Sequence, residues 1–357
     1  MRKSATMVAA GAAIALSLTA CGANASGSSS SSDKADGYKI GLLLPETTTA
    51  RYESKDKPYF EAKLKKICPD CTLLYANANS DAAKQQQQAQ SMLTQGVKVL
   101  VVDPWDGVAA ASIVSSAKAV NVPVVAYDRY IKSPDLTYVI SNDYKKVGEL
   151  QAQALVDKLK RDKLDPSSGG ILMMNGAPTD NNAGNIKAGA LSVINPSGYK
   201  VLAQIDTWDA AEAQTWVAGQ ITRFPSGINA VYSANDGNAG GAIAALKAAG
   251  VTSLPPITGL DASLAGIQAV LAGNQYMTTY NSFRSEADKA AEVAYELAQG
   301  KIPAADTKYL GIPASLNEPQ AVTFDTIQSI IIADNFYKAS EICTAPYVAA
   351  CAKAGIK

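Results

Sequence analysis

Apolar and polar positions alternate along the chain in blocks that predict strands followed by helices. Short runs of apolar and β-branched residues predict strands at 40–44, 97–102, 122–126, 138–140, 171–174, 201–205, 230–233, 257–260 and 277–280. Alanine-rich amphipathic stretches between them predict helices, for example at 82–95, 108–120, 145–160, 239–249 and 286–299. The whole chain therefore reads as repeated strand–helix units.

The strands are apolar throughout rather than at every second position. Such strands, each followed by a helix, indicate parallel sheets that are covered on both faces. The number of strands is too large for one ordinary open sheet. The pattern therefore predicts an α/β protein made of two Rossmann-like lobes with parallel sheets.

The first twenty residues have the pattern of an export signal. Arg2 and Lys3 precede an apolar run at 7–18, which is too short to cross a bilayer as a helix of the mature protein. Small residues before Cys21 resemble a bacterial lipobox, in which the cysteine is lipidated; the alternative is an ordinary signal peptide. A serine-rich tether follows to residue 37. We expect an exported protein that is lipid-anchored to the outer face of the cell membrane.

Composition narrows the possible functions. The 357 residues include 32 Lys and Arg, 32 Asp and Glu, and no histidine. A balanced charge gives no net positive field to hold nucleic acid. The absence of histidine excludes the Ser-His-Asp triad and His-ligated zinc. We therefore expect no catalysis, no cofactor, no metal and no nucleic acid partner.

Four cysteines remain after the signal segment. Cys68 and Cys71 have C-x-x-C spacing, and Cys343 and Cys351 lie near the end of the chain. In an oxidising exterior, structural disulfides are the favoured interpretation, with redox activity of the first pair as the alternative.

Polar side chains recur just after the predicted strands, where open α/β sheets bind ligands. They are mainly carboxylate, amide, guanidinium and indole groups: Glu46, Arg51, Asp103, Trp105, Asp128, Arg129, Asn142, Asp143, Asp180, Asn181, Asn182, Trp208, Asn235, Asp236, Asp261 and Asn281. Such groups suit a small polyol, because carboxylates, amides and guanidinium groups bond hydroxyls and a ring covers a C–H face. The alternative for Asn142, Asp143 and Asp236 is helix capping.

Several segments resemble the periplasmic sugar-binding proteins of ABC importers, which share the type I periplasmic binding protein fold, and in particular their xylose-binding members. The similarity extends over about residues 39–338 and is carried by 124–129, 140–143, 147–152, 178–183, 233–236, 240–243 and 259–262. The Tyr-Asp-Arg and Thr-Asp-Asn-Asn motifs within these segments are the most specific parts.

The resemblance implies a sugar site between two lobes. The matching ligand-binding positions are Arg51, Arg129, Asp180, Asn182, Trp208, Asn235, Asp261 and Asn281. Two positions of the chain, one of them in this set and the other beside Arg51, depart from the family pattern. Tyr52 stands where the family has tryptophan, and Asn281 stands where it has lysine. The departures leave the identity of the sugar open among xylose, glucose, arabinose, another aldose and a short oligosaccharide.

The resemblance also implies a three-segment hinge. We expect an N-terminal lobe from 38–141 and 283–322 and a C-terminal lobe from 142–282 and 323–357, with the chain crossing near 141–142, 280–282 and 322–324. The predicted function is capture of a monosaccharide by a monomer that closes on it and delivers it to an ABC permease. The alternatives are a sugar sensor that addresses a chemoreceptor or kinase, and a glycosidase that uses Asp180 and Asp261.

Overall fold

The computed structural model describes residues 37–357. The predicted signal peptide, Cys21 and most of the predicted tether lie outside the described residues. Within residues 37–357, the helices are all too short or too polar to span a membrane.

Twelve strands are found in the described part of the chain. They are β1 (Lys39–Leu44), β2 (Thr72–Asn77), β3 (Val99–Val102), β4 (Val124–Tyr127), β5 (Tyr138–Asn142), β6 (Gly170–Asn175), β7 (Lys200–Asp206), β8 (Ile228–Ser233), β9 (Met277–Tyr280), β10 (Thr307–Tyr309), β11 (Ile312–Asn317) and β12 (Gln320–Thr323).

Eleven α-helices accompany these strands in the same residues. They are α1 (Lys57–Ile67), α2 (Ala82–Thr94), α3 (Ala111–Ala119), α4 (Tyr144–Arg161), α5 (Asn181–Ile194), α6 (Ala210–Arg223), α7 (Asp236–Ala248), α8 (Leu264–Leu271), α9 (Phe283–Ala298), α10 (Ala339–Ile342) and α11 (Val348–Lys353). Single turns of π- or 3-10 helix occur at Tyr52–Asp56, Asn195–Ser197, Phe324–Thr326, Gln328–Ile332 and Ala345–Tyr347.

The strands form two separate sets of sheets. The first sheet has the order β10-β11-β5-β4-β3-β1-β2 and is parallel except for the β10–β11 hairpin. The second set contains the parallel sheet β7-β6-β8 and the antiparallel pair β12-β9. We call the parts of the chain on the first sheet the first lobe and those on the second set the second lobe. This arrangement confirms the predicted α/β fold with mainly parallel sheets.

Each lobe has apolar cores on both faces of its sheet. Val99 and Val101 of the central strand β3 face one core of the first lobe, and Leu100 and Val102 face the other. Residues from β6 divide in the same way in the second lobe. Because both faces of each sheet are buried, the strands do not alternate between apolar and polar residues. The carboxyl ends of the parallel strands point to the cleft between the lobes.

Three segments connect the lobes. β5 ends at Asn142 and leads into α4 of the second lobe, and β9 leads through Asn281 into α9 of the first lobe. The third connection lies at Glu318–Pro319, between β11 and β12. It comes earlier than the expected 322–324, because β12 pairs with β9 and thus already belongs to the second lobe.

The predicted strand at 257–260 is wrong as a continuous strand. Ile257 and Leu260 form only isolated bridges, to Val231 and Thr279 respectively. These two bridges join β8 to β9 and extend the second set of strands beyond its three-stranded core.

Both pairs of neighbouring cysteines are bonded in the structure. Cys68, at the end of α1, is linked to Cys71, and Cys343 is linked to Cys351 of α11. The second link holds the last helix against the apolar cluster around Ile342 and Ile331.

Candidate ligand-binding site

A single small cavity between the lobes gathers side chains from distant parts of the chain. Its lining contains seven of the eight predicted ligand-binding residues: Arg51, Arg129, Asp180, Asn182, Trp208, Asn235 and Asp261. Thr49, Tyr52, Asp128, Tyr144, Ile186 and Leu260 complete the wall. The two lobes both contribute, because each strand end meets the cleft.

Arg51 is buried on the first-lobe side and is held by carboxylates. Its guanidinium bonds both carboxylate oxygens of Asp56, at 2.8 and 3.0 Å, and lies 3.1 Å from Glu286. Asp128 lies 3.4 Å from the guanidinium, and the Phe283 ring packs 3.9 Å from its central carbon. Burial lowers the pKa of Arg51, but the charges of Asp128 and Asp56 outweigh it, so that the net pKa is raised. The arginine is therefore a fixed cation.

Arg129 connects the two lobes. It follows β4, and its Nε lies 3.1 Å from a carboxylate oxygen of Asp180 in the second lobe. Its Nη2 donates to the hydroxyl of Tyr52 at 3.0 Å, and its Nη1 to the Pro104 carbonyl at 3.4 Å. Asp103 lies 3.7 Å from Nε. The guanidinium is thus oriented by fixed partners before any ligand is considered.

The second-lobe wall combines a carboxylate with an indole. Asp180 is the N-cap of α5 and accepts the backbone N–H of Asn182 at 2.8 Å. Its other oxygen accepts the indole N–H of Trp208 at 3.1 Å. Gly176, after β6, lets the Trp208 ring pack against the backbone, because a Cβ there would overlap the ring. The ring is held in one orientation on the wall.

Some residues that cap a helix also line the cavity. Asn235 caps α7 by accepting the Asn238 N–H at 2.9 Å and also lines the cavity. Asp143 caps α4 and stays outside the cavity lining, as the capping alternative expected. Asp236 does not cap α7; it is buried and bonds the Gln275 amide and the Ser263 backbone. A capping position after a strand therefore does not exclude a role in the site.

Asp261 is the carboxylate with the fewest fixed partners. It follows Leu260 in the left-handed region, with φ of 93°, and it forms no ion pair with another described residue. Burial raises the pKa of Asp261 to about 7, although Arg51 lowers it in part. The carboxylate is available to a ligand that enters the cavity.

Asn281 is separated from the cavity. It directly follows β9, is fully buried, and is absent from the cavity lining, so its predicted ligand contact is not found. Neither amide atom has a hydrogen-bond partner among residues 37–357.

The comparisons with known proteins agree with this geometry. The sequence pattern of the periplasmic binding protein domain matches residues 40–302. The chain belongs to the periplasmic binding protein family. The D-xylose-binding periplasmic protein of Escherichia coli (strain K12) is 37% identical to it over 314 residues, which cover 85% of this chain and 92% of the relative.

Two further relatives of this periplasmic binding protein have a similar length. The multiple sugar-binding periplasmic receptor ChvE of Rhizobium radiobacter is 29% identical, covering 86% of this chain and 93% of its own. The crystal structure of a carbohydrate transporter solute binding protein from Chloroflexus aurantiacus, in complex with D-glucose, is 26% identical with a TM-score of 0.76. It covers 85% of this chain and 97% of the solved chain.

Six wall residues of the binding protein lie outside the predicted ligand-binding set, and two of these, Asp128 and Tyr144, bond to each other. Asp128 follows β4 beside Arg129, and its φ of 58° turns the chain at the cleft. Tyr144 is the first residue of α4, and its hydroxyl donates to the carboxylate of Asp128. Asp128 stands in the strand-end pattern, whereas the role of Tyr144 depends on the packing of the hinge.

Carboxylates outnumber cations in and behind the wall of this binding protein. Arg51 and Arg129 lie near five buried acidic groups, Asp56, Asp103, Asp128, Asp180 and Glu286, and near the half-buried Asp261. Burial, followed by the charge of Asp128, raises the pKa of Asp103 and of Glu286 well above the usual range. Within residues 37–357, these acids do not form a group suited to a metal ion. The site is rich in acceptors for hydroxyl donors.

Proposed function

We propose that the protein captures a monosaccharide, namely xylose or a similar aldose, between its two lobes. The observation that carries the proposal is the convergence of seven strand-end and loop residues on one cavity. The wall offers two fixed guanidinium donors, carboxylate and amide acceptors, and one indole face. A pyranose presents the complementary groups, because its hydroxyls donate and accept and its C–H face is apolar.

The relatives support the same class of ligand. One relative is a D-xylose-binding protein and another a multiple sugar-binding receptor, and the solved relative contains D-glucose. These ligands differ in size, so the names support an aldose but leave its identity open. Asn281 stands where the family has lysine, and this difference is a further reason to test several sugars.

We propose hinge closure as the mechanism of capture. The wall residues come from both lobes, with Arg51 and Arg129 on one side and Trp208, Asn235 and Asp261 on the other. A ligand that touches both sides stabilises the closed arrangement more than the open one, and this difference in free energy drives closure. The liganded protein would then deliver the sugar to an ABC permease, while a lipid on Cys21 would hold it at the outer face of the membrane. The export pattern and the family support these two steps.

A ligand screen tests the proposal. Thermal unfolding of the purified protein should be measured with D-xylose, D-glucose, L-arabinose, D-galactose and D-ribose, followed by calorimetry on each sugar that raises the midpoint. Ligand at a hundredfold excess over its dissociation constant stabilises the folded state by about 2.7 kcal/mol. We expect at least one aldose to bind with this effect and to be recovered chemically unchanged.

A variant of the cavity wall provides the control. Asp261→Ala should weaken binding of the preferred sugar by about 2–5 kcal/mol, because it removes an acceptor from a desolvated contact. Equal affinity in the variant and the parent would contradict the proposed site. Binding of none of the aldoses would contradict the proposed ligand class, and turnover of a glycoside would favour the glycosidase alternative.

A further inference from the structure

Hydrogen bonds join the two lobes at the rim of the cleft, away from the three connecting segments. They join two loops and strand β10 of the first lobe to the loop before α5 and the first turns of α5 in the second lobe. The four pairs are Gly107 N–H to Thr179 C=O at 3.3 Å, Tyr130 N–H to Asn181 Oδ1 at 2.9 Å, Asn182 Nδ2 to Asp128 C=O at 3.1 Å, and Asn185 Nδ2 to Tyr309 Oη at 3.2 Å.

Asn181 differs from Asp180 and Asn182 because it contacts the opposite lobe at the rim but does not line the cavity. Asp180 and Asn182 on either side of it line the cavity, whereas Asn181 does not. Its side-chain oxygen is instead committed to the backbone of Tyr130. The side chain therefore contacts the opposite lobe and not the proposed sugar.

The two first-lobe loops that face Asn181 are closely packed against each other. A Cβ at Gly107 would lie 2.6 Å from the Tyr130 carbonyl oxygen and 4.0 Å from the Asn181 Oδ1. The absence of a side chain at Gly107 therefore lets the two loops of the first lobe approach one another. This approach presents the Gly107 and Tyr130 N–H groups together to the loop before α5.

The bond from Tyr130 to Asn181 exists only when the lobes are together. It therefore contributes free energy to the closed arrangement and none to the open one. When closure is required for tight binding, the apparent dissociation constant rises as the closed fraction falls.

Building on the proposed function, we infer that Asn181 is a positioning residue that sets the affinity for every ligand of the site by stabilising closure. It does not select among sugars. Asn185, one turn further along α5, acts in the same way through the Tyr309 hydroxyl, but with a more peripheral contact.

Substitution at Asn181 tests the inference. A single neutral hydrogen bond corresponds to about a two- to tenfold change in an equilibrium constant. Asn181→Ala should therefore weaken binding of all bound sugars by a similar factor of about two to ten and speed their dissociation. The order of preference among sugars should stay the same. Asn181→Asp should retain most of the affinity, because only the acceptor oxygen is used.

A matched control lies on the same helix. Gly184 is exposed on α5, and a Cβ there would have no neighbour within 4 Å. Gly184→Ala should leave the affinity unchanged, and the thermal midpoint of the ligand-free Asn181→Ala variant should equal that of the parent. A change in sugar preference, or equal affinities in Asn181→Ala and the parent, would overturn the inference.

Hydrogen exchange separates this inference from the proposed function. With saturating sugar, the Tyr130 amide should exchange faster in Asn181→Ala than in the parent, because the variant lacks its acceptor in the closed arrangement. Equal exchange in the two sugar-saturated proteins would overturn the inference and leave the proposed function intact. Failure of every sugar to bind would overturn the proposed function and this inference with it.

Discussion

Two aspartates on opposite walls of the cavity have backbone conformations that are uncommon for residues with a side chain. Asp128 has a φ of 58° and Asp261 a φ of 93°. Such conformations are unfavourable outside glycine and concentrate at ligand-binding positions, where the surrounding structure holds them. Both aspartates line the cavity, so the uncommon backbone conformation places a carboxylate at the cleft in each lobe.

The raised pKa of Asp261 gives the protein a pH-dependent stability. An aspartate in an unfolded chain titrates near about 3.9, whereas burial raises the pKa of Asp261 to about 7 in the folded chain. Between these values the folded state holds a proton that the unfolded state releases. The free energy of unfolding therefore falls as the pH rises from about 4 to about 7, by at most about 4 kcal/mol from this group.

Asp261→Asn should remove that contribution, because an amide does not titrate. Urea unfolding at pH 5 and pH 8 should show that the variant gains stability relative to the parent as the pH rises. Asp325→Asn, at an exposed aspartate, serves as the control and should leave the difference between the two pH values unchanged. If the free energy of unfolding changed equally with pH in the parent and in Asp261→Asn, the expected contribution of Asp261 would be contradicted.

Most wall residues were predictable at this scale because strand ends mark them. Arg51, Arg129 and Trp208 were poor candidates for helix caps, and all three line the cavity. Tyr144 was not predictable, because its place on the wall depends on how α4 leaves the hinge. Asn281 lies outside the cavity lining, and its contact with the sugar stays a prediction.

At the scale of elements, Gly176 determines how the end of β6 meets the loop after β7. The Trp208 ring packs on the Gly176 backbone while its N–H donates to Asp180. Gly176→Ala should push the indole away from this position, because tightly packed sites do not accept an added methyl group without displacement. The affinity for the bound sugar should fall about tenfold, which corresponds to about 1.4 kcal/mol.

Calorimetry and tryptophan fluorescence check this expectation. The emission of the ligand-free Gly176→Ala variant should change relative to the parent, since Trp208 is one of three tryptophans. Gly219→Ala in α6 is a matched control, because a Cβ there would have open space. Unchanged affinity in Gly176→Ala would mean that the indole is not part of the binding wall.

The elements that were predicted and those that were missed differ in burial. Strands such as β3 and β4 are buried along their whole length and form clear apolar runs. β2 is a partly buried edge strand, and β10 is short and mostly exposed, so neither forms such a run. β11 and β12 were not predicted as strands; they lie on either side of the Asn-Glu-Pro sequence at the third connection. Their pairing partners come from distant segments, which a local pattern does not specify.

At the scale of the whole molecule, a buried polar cluster lies beside the first two connections between the lobes. Asn142, at the end of β5, donates to Glu286 of α9 at 3.2 Å, and Glu286 in turn contacts Arg51. The first two connections of the hinge are therefore linked directly to the cavity wall. Motion at the hinge and occupation of the cavity would act on the same set of side chains.

Closure should be measurable as a change in overall size. Small-angle X-ray scattering of the purified protein should show a smaller radius of gyration with saturating sugar than without it, approaching the about 20 Å expected for a compact chain of about 320 residues. The reason is that a ligand in contact with both Arg129 and Asp261 gains its full binding free energy only when the lobes meet. Asp261→Ala, studied at the same sugar concentration, should remain at the larger radius. A constant radius in the parent, in a sample that calorimetry shows to be saturated, would mean that the sugar binds without closure, and the rim contacts at Asn181 would then be permanent features of the fold.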